Sequence, residues 1–261
     1  MKLQRGPSVV TLGPLSAQVV KDAVWFGSDA YPSSQFWADE LEGLLIFVQA
    51  WDVYDRYLPE LRASTNQRDA ALSELRVAFH FHRSGFPITH WKPVGSPPKE
   101  GEFCIACASR SEIFVEVKGP GWESELSNEE RHAGRTKQPK YIDGEVHWVS
   151  SSETIVMAVN KAYPKLPDEA PNLLVIADDL FVGYLERRSA LLDLEVGHAL
   201  YSCHNDGVFT NPSYERLGGV GVFAVSEKQS GICYSMRLFI NSFAKKCALP
   251  PDFVAAFHGK S

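Results

Sequence analysis

At Phe86 the hydrophobic period of this chain changes from three-and-four to two, and it holds that shorter period until Lys118. Upstream, Phe36, Trp37, Leu41, Leu44, Leu45, Val48, Trp51 and Leu58 recur at helical spacing. They predict a long helix from about residue 35 to 62, ended or kinked by Pro59. A second helix is expected to start at the capping residues Ser64-Thr65-Asn66. It runs through Leu72, Leu75, Ala78 and Phe79 to Ser84, with Gly85 as its stop. Three strands then follow, at about 86–94, 102–108 and 112–118, with Pro87 and Pro93 weakening the first. In the third, Ile113, Val115 and Val117 share one face, and Glu112, Phe114, Glu116 and Lys118 share the other. Ser109-Arg110-Ser111 is short enough to join the last two strands as a hairpin.

Beyond the hairpin, residues 122–150 are polar and carry little periodicity. A helix is expected from Ser151-Ser152-Glu153, with Ile155, Val156, Val159, Ala162 and Leu166 as its apolar stripe. The unbroken apolar run of residues 172–178 has the composition of a strand buried on both faces. Further on, the pattern predicts a helix near 186–194 and strands at 219–225 and 231–240. The first 34 residues, rich in Pro, Gly and Ser, read as irregular. The fold expected is α/β, in three parts: an N-terminal irregular and helical extension (1–64), a core (65–180) and a C-terminal α+β lobe packed on it (181–261).

Composition narrows the function classes. The chain has 261 residues, 44% hydrophobic and 22% charged, which is ordinary globular usage. Its net charge is −6, so contact with a polyanion needs a local basic face rather than a basic total. The longest apolar run, Leu44-Leu45-Ile46-Phe47-Val48, is far short of the roughly 20 residues of a membrane span. No membrane association is expected, and with no signal segment in the first 20 residues a cytoplasmic location is the default. Five scattered cysteines argue against a disulfide framework. Cys104 and Cys107 form a CxxC, but no partner pair follows at zinc spacing, so both read as small buried apolar residues. His80, His82 and His90 read as structural, and Trp91, Trp122 and Trp148 as core or interface residues.

The chemistry-bearing pattern is a carboxylate at the start of one hairpin strand, Glu102, and Glu116-Val117-Lys118 in the next. Taken with Gly119-Pro120 and the helix, strand, strand, strand, helix, strand order of residues 65–178, this resembles the PD-(D/E)XK nuclease superfamily. In that restriction-endonuclease-like fold an acidic residue on the second core strand pairs with the D/E-x-K of the third. The position that usually reads Pro-Asp is here Gly101-Glu102. The resemblance implies a mixed sheet flanked by helices and a Mg²⁺- or Mn²⁺-dependent endonuclease acting on nucleic acid, DNA in preference to RNA. It implies Glu102, Glu116 and Lys118 as catalytic residues, and Glu102, Glu116 and the backbone carbonyl of Val117 as metal ligands.

The residues support that chemistry on physical grounds. Phosphodiester hydrolysis has a very high uncatalysed barrier. A divalent cation lowers it by neutralising charge and by providing hydroxide near neutral pH. Mg²⁺ favours carboxylate oxygens and keeps several waters, so two glutamates on adjacent strands suit it. Lys118 lies on the face of Glu116 at about 6.6 Å along the strand, within reach of a phosphate or an attacking water.

Glu74, on the preceding helix, is a further metal or water contact, or an ordinary solvated residue. Lys161 and Lys165, four apart, either approach the phosphate or form a solvated face. Arg131, Arg135, Lys137 and Lys140 form a basic run that either contacts phosphates or is a surface loop. A homodimer or a partner protein is compatible with this fold. Two other readings stay open: an inactive nuclease-fold binding or assembly module, and a domain of a defence or toxin system in which Glu-x-Lys is incidental.

Overall fold

The computed structural model describes residues 2–5, 8–21, 34–63, 65–91, 102–119, 151–178 and 207–258. Its centre is one six-stranded mixed sheet of strands β3 (Ile88–Trp91), β4 (Phe103–Ala106), β5 (Glu112–Lys118), β6 (Asn172–Asp178), β7 (Gly219–Lys228) and β8 (Gly231–Ile240) in sequential spatial order. The β5–β6 and β6–β7 pairs are parallel; the other pairs are antiparallel. The change of period at Phe86 therefore marks entry into the sheet, and the sheet continues past residue 180 through β7 and β8.

Helices cover both faces. Helices α2 (Gln35–Ala50), α3 (Tyr54–Leu61), α4 (Thr65–Arg83) and the C-terminal α6 (Pro251–His258) contribute to the larger core. There Leu72, Leu75, Ala78 and Phe253 share a buried cluster with Ile113, Val115 and Val117. On the other face, α5 (Ser151–Ala162) packs Ile155, Ala158, Val159 and Ala162 against Leu174, Ile176 and Val220. Each strand thus sends alternate side chains into two different cores, as its pleat requires.

Three sequence expectations need correction. The first 34 residues are not irregular throughout. Strands β1 (Lys2–Arg5) and β2 (Ser8–Thr11) form an antiparallel pair, and α1 (Pro14–Lys21) follows. Pro14 opens that helix, because a first-turn residue has no intrahelical acceptor for its N–H. Glu42 of α2 accepts from the free N–H groups of Leu15 (3.1 Å) and Ser16 (2.7 Å). Gly13 makes room for it, since a Cβ there would stand 2.3 Å from the Glu42 carboxyl carbon.

The long helix expected over 35–62 is two helices. The break lies at Trp51–Val53, where Asp52 has φ 57°, and not at Pro59, which sits inside α3. An Asp tolerates that left-handed conformation, which no helix interior contains. The first core strand spans only Ile88–Trp91, with an irregularity in its pairing between Ile88 and His90. The stop at Gly85 is as expected, at φ 90°. The helix expected near 186–194 and the polar stretch 122–150 lie outside the described residues.

Candidate functional site

Strands β4 and β5 pair Phe103 with Val115, and the Glu102 N–H donates to the Val115 carbonyl at 2.8 Å. Continuing that register puts Glu102 opposite Glu116, and opposite residues of an antiparallel pair share a face. Both carboxylates therefore stand on the α5 side of the sheet, at the end where β4 begins and β5 finishes. Apolar burial sets this register: Phe103, Ile105, Ile113 and Val115 are buried in the opposite core. A one-residue slip would turn them to the wrong face.

Glu116 is buried, its side chain only 1% exposed. Its Oε1 accepts a short hydrogen bond from Lys118 Nζ and a second from Lys165 Nζ at 2.9 Å. Lys165 Nζ also lies 3.9 Å from Glu102 Oε1. Among the described residues nothing donates to the buried Oε2 of Glu116. A buried carboxylate oxygen without a partner is costly, so this one marks a place where a cation or a donor is wanted.

Burial alone would lower the Lys165 pKa. The hydrogen bond to Glu116 and the charges of Glu116 and Glu102 outweigh it, and the net shift is upward from 10.5. The stabilisation from these ion pairs is therefore complete below that ordinary lysine value and is lost as pH rises through the raised one.

Glu102, Glu116 and Lys118 thus converge as expected from their spacing, and Lys165 joins them. Lys165 does so from a 3₁₀ turn, Tyr163–Lys165, that follows α5. Pro164 cannot donate to a helical ladder, the helix ends at Ala162, and the tighter turn re-aims the side chain. Lys161, still on α5, is exposed. The helical spacing that groups the two lysines in the sequence does not hold across that proline. Arg131, Arg135, Lys137 and Lys140, with Trp122 and Trp148, lie outside the described residues.

Glu74 occupies a different place. It belongs to α4, in the layer that covers the Ile113–Val115–Val117 face. Its Oε2 accepts from Tyr57 O–H at 3.1 Å, and that oxygen accepts from Trp91 Nε1 at 2.9 Å. Tyr57 is fully buried; burial first, and the Glu74 charge second, push its pKa well above 10. The charge of Glu102 acts in the same direction, so Tyr57 lies between the two carboxylates electrostatically. Sequence reading missed this tyrosine; its signal is a phenol on the apolar stripe of α3, which needs partners when buried. Tyr57→Phe leaves Trp91 Nε1 and Glu74 Oε2 each without this neighbour. It is expected to cost about 1–3 kcal/mol in denaturant unfolding.

With Glu74 held by Tyr57, no group of three or more His, Cys, Asp or Glu side chains among the described residues is arranged to hold a metal. Two carboxylates, Glu102 and Glu116, remain. That number suits Mg²⁺, which binds through one or two carboxylates and keeps waters, and does not suit zinc. Cys104 and Cys107 are buried and free, as small apolar residues are. His80 packs among Phe81, Phe223, Tyr234 and Phe257, a structural setting.

A surface cavity of about 670 Å³ lies apart from this cluster, lined in part by Asp168, Glu169, Arg216, Phe243, Lys246 and Cys247. Its charges pair within it, Arg216 with Asp168 and Lys246 with Glu169. Among the described residues no helix is long and apolar enough to cross a membrane. Compared with known proteins, the chain matches no family model, no curated protein and no solved structure.

Proposed function

We propose that the chain is a divalent-metal-dependent nuclease with a restriction-endonuclease-like core, cleaving phosphodiester bonds in nucleic acid, DNA in preference to RNA. The observation that carries this is the convergence of Glu102, Glu116 and Lys118 on one face of a β-hairpin around a buried, unpartnered carboxylate oxygen. Structural ion pairs seldom leave such an oxygen without a donor. The α/β architecture, with its hairpin preceded by a helix and followed by a helix and a parallel strand, agrees with the reading.

Glu102, Glu116 and the Val117 carbonyl would hold Mg²⁺ or Mn²⁺. The cation supplies charge neutralisation at the phosphoryl group and a water of lowered pKa. The chain's own contribution is positional. Glu116 anchors the Lys118 ammonium, which then presents donors to a phosphate oxygen where charge grows in the transition state. Exposed Lys161 and the basic run of Arg131, Arg135, Lys137 and Lys140 provide local positive charge against a net −6 background. Assembly as a homodimer or with a partner protein would let one site act on each strand of a duplex.

A second reading has its own observation. Lys118 and Lys165 already neutralise Glu116 without any metal, as a purely structural ion cluster would. An inactive nuclease-fold binding module follows from that arrangement. One experiment separates the two: cleavage of supercoiled plasmid and single-stranded DNA in Mg²⁺ or Mn²⁺. The nuclease reading expects cleavage that falls about 10²–10³-fold in Lys118→Ala. Equal rates for wild type and Lys118→Ala, or none in either, would leave the binding module.

A further inference from the structure

We infer that Lys165 is the resident counter-cation of this site, and that a divalent ion can be taken up only as the Lys165 ammonium leaves Glu116. The inference rests on the metal-dependent reading above. Its basis is where one nitrogen sits. Lys165 Nζ is 2.9 Å from Glu116 Oε1 and 3.9 Å from Glu102 Oε1, so a single positive charge bridges carboxylates from two strands. An ion shared by Glu102 and Glu116 needs the same space.

Charge leads to the same exclusion. Glu102 and Glu116 bring two negative charges, Lys118 and Lys165 two positive ones, and the four sum to zero. Adding a divalent ion to that set would place three cations against one buried carboxylate of 1% exposure, where water screens little. One ammonium has to withdraw. Lys118 is fixed on β5, two residues from Glu116, with its side chain 21% exposed. Lys165 is carried by a short 3₁₀ turn and its side chain is 43% exposed, so its ammonium has a direct path to water. The easier departure is that of Lys165.

Titration calorimetry with Mn²⁺ tests this on the full chain. Lys165→Met removes the competitor while keeping the apolar stem, and Lys165→Gln repeats the test with a polar stem should the first variant fold poorly. Both are expected to bind Mn²⁺ about tenfold more tightly than wild type, the scale of one partly buried charge-assisted contact. Lys228→Met removes an exposed charge at the end of β7 and is expected to bind as wild type does. Mn²⁺ should also raise the melting temperature of Lys165→Met more than that of wild type.

Wild-type binding with equal or weaker binding by both Lys165 variants overturns the inference and leaves the metal site standing. The same holds if Lys228→Met tightens binding as much, since net charge and not position is then the cause. Absence of Mn²⁺ binding in wild type and variants alike overturns the metal-dependent reading and the inference together.

Discussion

Arg76→Met is expected to lower the unfolding free energy by about 3–5 kcal/mol, the range found when one partner of a buried ion pair is removed. Arg76 of α4 meets Glu40 of α2 in a fork, with Nε and a terminal nitrogen each 2.9 Å from a carboxylate oxygen. Their side chains are 6% and 4% exposed. Tyr234 of β8 donates to the same carboxylate at 2.6 Å, and the guanidinium lies over the Trp37 ring. The network ties two helices to the edge strand of the sheet.

Methionine keeps much of the stem that packs on Trp37, so the loss measured is mainly that of the charge. Glu40 is then left buried with the Tyr234 hydroxyl but without its counter-charge. The double variant Glu40→Leu/Arg76→Met removes both charges and is expected to recover most of the loss, because a well-packed apolar pair replaces a buried ion pair at little cost. Urea denaturation of the three proteins decides it. A single-variant loss under about 1 kcal/mol would show that the pair is effectively solvated.

The second large effect is on chemistry. Glu116→Gln is expected to reduce metal-dependent DNA cleavage by about 10³-fold, the upper end for a lost transition-state contact. Glutamine preserves shape and one acceptor oxygen for Lys118 and Lys165. It removes the negative charge a cation requires and replaces one oxygen by a donor. The two ammonium groups then share a neutral acceptor, and stability should fall by about 1–3 kcal/mol. Glu116→Asp keeps the charge and should retain part of the cleavage. Cleavage within tenfold of wild type in Glu116→Gln would remove Glu116 from the chemistry.

Much of the sheet was legible because its signals are local. The two-residue alternation of residues 112–118 and the apolar run of 172–178 reflect burial on one or both faces, and both became strands at the expected bounds. Helix α4 followed from its apolar stripe and from Gly85. The failures were also local in cause. Proline was read as a breaker at Pro14 and Pro59, yet at the first the helix begins and at the second it continues. The break at Asp52 carried no such mark, since a left-handed Asp looks like any other in sequence.

The site divides along the same line. Opening on the period-two stretch, the sequence determined that Glu116 and Lys118 share a strand face, and the apolar demands of Ile113 and Val115 determined the register that sets Glu102 opposite Glu116. A pleat and a hairpin suffice for that. Only the tertiary structure decided that Lys165, 49 residues from Glu116, bridges the two carboxylates, and that Glu74 is held by Tyr57 in the other layer. The reason is physical. The crossover through α5 ends on Pro164, and where its last turn lands on the sheet depends on how the whole α5 face packs on Leu174 and Ile176. No spacing in the sequence encodes that position.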